Sequence, residues 1–386
     1  MPSRETGASV PGRLHVLHVA QPTTEGVAGV ALTYVRDQLE RGWDVSVACP
    51  SDGWLGYETR ELGAGVSWWD ATREPGTDVL GESLRLGRII ARRRPDVVHL
   101  HSAKAGLVGR LVLRGRTPTI FQPHAWSFLA ATGATRRAAL AWERYAMRWT
   151  SELLCVSESE RELGVEHGIT GPTTVAANGV DLSILRPVSD QGRKAARFRL
   201  GLTDAPTVVC VGRLARQKGQ EDLLAAWPKV RARIPDAQLM LVGEGPDREL
   251  LERQVEPGSG VRLVGNRTDV PLWLAAADVV AVPSRWEGMA LAPLEAMASA
   301  RSVVVTDVTG IAESVPPLAG AMVPPGSPDD LAMELATRLE DPQLAEDEGW
   351  SGRAHVEEHH DAARSAADLA RMCLRLTAQR QRRSLV

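Results

Sequence analysis

The 386-residue chain has only four cysteines, no long unbroken apolar run and a net charge of only -3. Each scarcity excludes something. Cys49, Cys155, Cys210 and Cys373 stand far apart with no C-x-x-C spacing, and three lie in or beside apolar runs, SVACP, ELLCVS and TVVCVG. That predicts reduced, buried thiols and argues against a disulfide framework or a cysteine zinc site. No stretch approaches the roughly 20 apolar residues of a membrane span. The polar opening MPSRETGASVPGR leads into a short, His-interrupted run, LHVLHVA, which does not read as a signal peptide. The expectation is a cytoplasmic protein. With 44% hydrophobic and 24% charged residues the composition is that of an ordinary globular protein, and the length suggests two domains.

The small net charge is unevenly spread. From Arg88 to Arg148 there are twelve Lys or Arg against two acids, Asp96 and Glu143, and the last sixteen residues add five Arg and no acid. Two readings stay open. One is a solvated basic face followed by a basic terminal helix. The other is a surface, including Arg110, Arg114 and Arg116, that docks on anionic lipid or phosphate-bearing acceptors and holds the protein at the inner face of the membrane. No nucleic-acid partner is expected.

Short β-branched runs alternate with longer amphipathic segments from end to end. The first series is LHVLHVA, DVSVACP, VSWW, DVVHLH, TIFQPH, ELLCVS and TTVAANG; the second is TVVCVGRL, AQLMLVG, VRLVG, VVAVPS, SVVVTD and GAMVPPG. Alternation of this kind specifies parallel sheets covered by helices on both faces. The expected fold class is therefore α/β, with two doubly wound Rossmann-like domains facing across a cleft. The boundaries read as a disordered stretch 1–13, a first domain 14–190, a second domain 191–361, and a terminal helix 362–386 returning to the first domain. The polar connection 186–205 reads as a hinge.

Ligands of such sheets gather at the carboxyl ends of strands, so the residues just after each apolar run come first. After TVVCV, the stretch GRLARQKG places Arg213 and Lys218 ahead of a helix beginning near Gln220, a plausible diphosphate site. After VVAVPS, Glu287 precedes Gly288, Met289, Ala290 and Leu291, whose amides open a helix carrying Glu295. Pro293 is tolerated in that first turn. The bland alternative for Glu295 is a carboxylate favoured by the helix dipole. In the first half, Gly26 in TTEGVAGV lies where a phosphate-approaching loop would, or is merely a turn glycine. His99, His101 and His124 cluster at two strand ends; with no carboxylate or Cys beside them and no H-E-x-x-H, a hydrogen-bonding role for His124 is favoured over a metal site. His355, His359 and His360 read as surface residues of a polar helix.

Together GRLARQKG, LVGEGP, VGNRTDV, PSRWEGMALAPLEAMA, ANGVD, PDVVHLHSAKAG, PHAWSF and CVSESE resemble glycosyltransferase family 4, retaining enzymes of GT-B fold. The resemblance implies transfer of a hexose-type sugar from a nucleotide-diphosphate sugar to a sugar, lipid-linked or small-molecule hydroxyl acceptor, without a metal ion or other cofactor. Arg213 and Lys218 would neutralise the diphosphate, Glu287 and the amides of Gly288, Met289, Ala290 and Leu291 would hold the donor sugar, and Glu295 would bind the ribose. Gly265 and Arg267 would lie near the base, Gly26 near the donor, and His124 near the reacting carbon. Glu25, where the family has a glycine, and Met289 and Ala290, where it has Phe and Gly, depart from the pattern. The absence of a D-x-D motif fits cations taking the place of a metal. Alternatives are a nucleotide-sugar hydrolase or epimerase, or a silent sugar-nucleotide-binding subunit.

Overall fold

The computed structural model describes residues 13–72 and 78–384; the N-terminal stretch expected to be disordered falls outside them, except for Arg13. The chain divides into two compact units. The first contains a seven-stranded sheet of β1 (His15–Ala20), β2 (Asp44–Cys49), β3 (Gly65–Trp68), β4 (Val97–His101), β5 (Thr119–Gln122), β6 (Glu152–Cys155) and β7 (Thr173–Val175). Its order is β3-β2-β1-β4-β5-β6-β7, and every pairing is parallel. The second contains a six-stranded parallel sheet of β8 (Thr207–Val211), β9 (Gln238–Val242), β10 (Val261–Gly265), β11 (Val279–Val282), β12 (Ser302–Thr306) and β13 (Gly320–Val323), in the order β10-β9-β8-β11-β12-β13.

These strands read as near-continuous apolar runs because helices cover both faces of each sheet. All residues of β11 and β12 are buried. So are all residues of β1 and β4, although these two carry His15, His18, His99 and His101 among their valines and leucines. All four cysteines are free and buried, and burial pushes the thiols of Cys49, Cys210 and Cys373 up to about 12.

The units divide near residue 176 rather than 190, and the short segment Val156–Glu160 also belongs to the second unit. The reason lies in residues 177–205, which are built into the second unit. Asn178 donates to the Met289 carbonyl at 2.9 Å, and its own carbonyl meets His360 Nδ1 at 2.9 Å. The expected hinge contains a capped helix, Asp190–Leu200. Ser189 accepts from the Gly192 amide at its start, and Gly201, at φ 64°, closes its end. Arg193 and Arg197 of this helix bind Asp278 at 3.0 and 2.6 Å. His360 is buried, not a surface residue. The final helix, Ala362–Ser384, belongs to the first unit from residue 366 onward, where Arg375 pairs with Glu152 at 2.9 Å.

Candidate active site

In each sheet the order reverses between two neighbouring strands, β1 and β4 in one and β8 and β11 in the other, and the crevice at such a switch is where doubly wound sheets place ligands. The loops after β8 and β11 carry the strongest sequence signals. Because those strands pair directly, the loops meet.

After β8 the chain passes Gly212 and Arg213, makes a 3-10 turn over Arg216–Lys218 and enters the helix Gln220–Arg233 through Gly219. A β-carbon on Gly219 would sit 2.0 Å from the Pro283 carbonyl, so only glycine allows the two loops this approach. The turn then delivers Lys218 Nζ to Glu287 Oε1 at 2.5 Å. Ser284 Oγ donates to the same oxygen at 2.7 Å, and Gln217 Nε2 lies 3.4 Å from Glu287 Oε2 and 3.0 Å from the Trp286 carbonyl. Glu287 is only 5% exposed. Arg285 binds Asp222 at 3.1 Å and Glu221 at 3.3 Å, tying the same loops together from the outer side. Arg213 is half-buried, with its carbonyl accepting from Gln220 Nε2 at 2.9 Å.

The stretch after Glu287 is fixed through its carbonyls. Ser157 Oγ donates to the Gly288 carbonyl and Asn178 to that of Met289, each at 2.9 Å, and Gly310 packs against the Gly288 carbonyl so closely that a β-carbon would meet it at 1.7 Å. The helix Leu291–Ala298 starts at Ala290 without a side-chain cap. Met289 and Ala290 are 6% and 4% exposed and belong to an apolar core with Val282, Leu294 and Ile311. Their side chains therefore fill the core, and only their backbone is left to recognise a ligand. Glu295 is half-buried; burial pushes its carboxyl up to about 7, while the nearby positive charge of Lys218 draws it down. Lys218, Glu287 and Glu295 thus share one electrostatic site.

Gly265 ends the edge strand β10 and Arg267 follows it, with β9 between β10 and β8. The Gly265 carbonyl accepts from Gly243 at 2.9 Å, and exposed Arg267 grips Asp269 through two hydrogen bonds of 2.8 and 2.7 Å. Gly26 and His124 belong to the first unit. Gly26 sits in the opening turn of the helix Glu25–Glu40.

His124 ends a chain of imidazoles. Gln38 Oε1 meets His18 Nε2 at 2.9 Å, His18 Nδ1 meets His101 Nε2 at 3.0 Å, and His101 Nδ1 meets His124 Nε2 at 3.1 Å. With the Gln38 oxygen as acceptor, each ring donates through Nε2, which leaves His124 Nδ1 as the free acceptor. Burial lowers His18 to about 4 and His124 to about 3, and holds His99 and His101 well below the usual range, so all four rings are neutral near pH 7. His124 and Ala125 adopt φ of 59° and 126°, positions that cost a non-glycine residue about 1–3 kcal/mol and that cluster at functional sites. The nitrogens of His18, His99 and His101 lie within 4.8 Å of one another, close enough to hold a metal ion.

Sequence reasoning singled out Lys218, Glu287 and Glu295 but missed Ser284, Gln217, His18 and Gln38. Ser284 and Gln217 stand inside the quoted motifs. His18 becomes evident only once the register is known, because parallel pairing of β1 with β4 sets it opposite His99.

Comparison with known proteins identifies the family and the fold. The family model for Glycosyltransferase Family 4 matches residues 24–184, and that for Glycosyl transferases group 1 matches 205–341. A Mycolicibacterium smegmatis protein named GDP-mannose-dependent alpha-(1-6)-phosphatidylinositol monomannoside mannosyltransferase is 30% identical over 341 residues, 82% of this chain and 86% of that one. The chain belongs to glycosyltransferase family 4. A Corynebacterium glutamicum member of similar name, acting on the monoacylated form, is 36% identical over 47% of this chain; the match spans 50% of that relative's length. Among solved structures, Anabaena HepE in complex with UDP and glucose superposes with a TM-score of 0.81 at 21% identity, covering 93% of this chain and 99% of that one. That likeness shows the GT-B fold alone. No helix among the described residues is long and apolar enough to cross a membrane.

Proposed function

We propose that this family 4 chain transfers a hexose-type sugar from a nucleotide-diphosphate sugar to a hydroxyl acceptor with retention of anomeric configuration. The observation that carries the reading is Lys218 clamped by Glu287 at the β8/β11 switch, with Arg213 in the same loop. As the glycosidic bond breaks, negative charge grows on the departing diphosphate, and a cation already held in place stabilises it without reorganising. The bond to the anomeric carbon passes to the acceptor oxygen on the same face, and the leaving phosphate takes the acceptor's proton.

In this reading Glu287 does two jobs. Its Oε1 fixes Lys218, and its less engaged Oε2 receives a donor-sugar hydroxyl. The amides of Gly288, Met289, Ala290 and Leu291 lie at a helix start suited to phosphate or hydroxyl groups. Glu295, with its raised pKa, hydrogen-bonds the ribose. Gly265 and Arg267 border the base, and His124 offers a neutral imidazole to the sugar. The HepE structure with UDP supports a nucleotide donor, and the mannosyltransferase names of the relatives support a hexose.

The test incubates the full chain with a panel of nucleotide sugars, first by thermal stabilisation and then by product isolation, with the anomeric configuration read by NMR. A retained glycoside on the acceptor is expected. Free sugar without acceptor dependence would mean hydrolysis, and donor binding without turnover a silent subunit; either ends the reading.

A further inference from the structure

The first unit contains a cavity of about 520 Å³ among the loops that follow β1, β2 and β3. Its polar lining residues are Gln21, the hydroxyl-bearing Thr23, Thr24, Ser51 and Thr72, and the carboxylate-bearing Asp52 and Asp70. The walls are pinned from behind. The amides of Trp54 and Leu55 donate to the Thr23 carbonyl at 3.2 and 3.1 Å. A β-carbon on Gly53 would come within 2.5 Å of Thr23 Oγ1, so these two loops are in contact. On the far side Thr72 donates through its amide and hydroxyl to Glu82 at 3.0 and 3.3 Å, and Glu82 is in turn held by buried Lys104 at 3.0 Å. The cavity is therefore preformed, as small-molecule sites usually are.

Its polar groups have unmet capacity. Thr23 is 6% exposed, and its hydroxyl makes no hydrogen bond among the described residues. The carboxylates of Asp52 and Asp70 likewise have no hydrogen bond or ion pair among the described residues. Among the described residues no Lys or Arg lines the cavity. Arg85, which reaches the Asp70 carbonyl at 2.9 Å, places its charge on Asp78 at 2.7 Å. A hydroxyl-lined wall suits a polyol. Two unpaired carboxylates favour a cation near it and repel an anion.

We propose that this cavity receives the acceptor, and that the acceptor is an amine-bearing polyhydroxyl ring, an amino sugar or aminocyclitol, rather than one bearing phosphate. The inference rests on the glycosyltransferase reading only for the word acceptor; the binding itself is independent of it.

Three matched probes test it on the full chain: glucosamine, glucose and glucose 6-phosphate, titrated while the methyl resonances of Thr23 and Thr72 are followed. Glucosamine should shift both methyls and bind about fivefold tighter than glucose, as expected for ammonium–carboxylate contacts near a surface. That advantage should shrink with added salt. Glucose 6-phosphate should leave both methyls unmoved. The pair Asp52→Asn and Asp70→Asn should bring glucosamine down to the affinity of glucose, leaving glucose unchanged. Tighter or equal binding of the phosphate, no methyl shift with any probe, or an unchanged glucosamine preference in the double variant would each overturn the proposal. Nucleotide binding measured in the same sample reports on the second unit. Loss of donor binding with the glucosamine response intact would end the transfer reading and leave the cavity's specificity standing.

Discussion

The two units repeat one layout, and at the matching place in each they carry opposite electrostatics. Both sheets have a core order of the type 3-2-1-4-5, and both reverse direction between the first and fourth strands. At that switch the second unit holds the ion pair Lys218–Glu287, whereas the first holds the neutral imidazoles of His18, His99 and His101. Their backbones differ in the same region. The rim of the second sheet turns at glycines, Gly212, Gly219, Gly243, Gly265 and Gly310. The rim of the first turns at one glycine, Gly53, and also at Glu25, Ser102, His124 and Ala125, all at positive φ, where side chains are retained despite the steric cost. The fold dictates where ligands are met, and the side chains at the switch dictate whether the site presents charge or neutral hydrogen-bonding groups.

Acid separates the two units most strongly. An unfolded histidine charges near pH 6.5, but His18 and His124 in the folded chain resist protonation down to about 4 and about 3. Their folded pKa values are depressed, so the stability they allow is fully present above pH 6.5 and lost as pH falls. At pH 5 each subtracts about 2 kcal/mol. Glu295 acts with the opposite sign. Its folded pKa is raised to about 7, so folding favours the protonated form and its penalty is relieved between pH 7 and about 4.5. Amide exchange at pH 5 should show β1 and β4 losing protection before β8 and β11. Equal loss in both sheets would break the comparison.

Next in size is the buried pair Lys104–Glu82, each side chain 2% exposed. Lys104→Met leaves a buried carboxylate without its cation and should destabilise the first unit by about 3–5 kcal/mol, read as a lower urea midpoint for its exchange-protected core. Adding Glu82→Leu should restore much of the loss. Lys218→Ala makes the contrasting change in the second unit. Lys218 is 22% exposed, but its loss leaves the 7% exposed Glu287 side chain without a cation. Ser284 and Gln217 still bond that carboxylate, so the stability loss should be smaller than for Lys104→Met, while kcat falls by at least about tenfold at saturating donor. Unchanged kcat would remove Lys218 from the chemistry.

The strands and the charged switch were legible because each left a local mark: an apolar run, then a loop with Lys218 or Glu287. What escaped was everything that depends on two distant segments lying side by side. His18 joins the imidazole chain only through the pairing of β1 with β4, and Gln38 only because its helix packs on β1 and reaches His18. Met289 and Ala290 looked like specificity determinants because they depart from the family pattern, but they are core side chains. The polar connection 186–205 looked like a hinge because it is polar, carries Pro and Gly and separates two alternating α/β series, and the sequence alone does not show that Asp278, some 80 positions away, binds its Arg193 and Arg197. Arg110 misled in the same way. It is fully buried, bonded to Glu143 at 2.7 Å and stacked 3.9 Å from the Phe121 ring, so it takes no part in any surface.

That correction sharpens the smallest effect, membrane contact. Without Arg110 the basic window still exposes Arg114, Arg116, Arg144 and Arg148. They lie in the same part of the first unit as exposed Tyr145 and half-buried Trp142 and Trp149. Arg148 lies 3.8 Å from the Tyr145 ring, and Gly115 lies against Trp149. Arginines interleaved with Trp and Tyr suit the charged, amphipathic boundary of an anionic bilayer, where each cation near the surface contributes about 1 kcal/mol. Vesicles containing phosphatidylglycerol should therefore bind the chain more tightly than phosphatidylcholine vesicles, and the difference should fade with salt over the range in which the Debye length shortens. Arg114→Gln with Arg116→Gln should weaken that binding several-fold without altering turnover on a water-soluble acceptor. Arg110→Gln cannot serve as the probe, because it would unpair buried Glu143 and unsettle the first unit. Equal binding to neutral and anionic vesicles would assign the exposed arginines to solvation alone, leaving the charged switch of the second unit as the chain's principal electrostatic site.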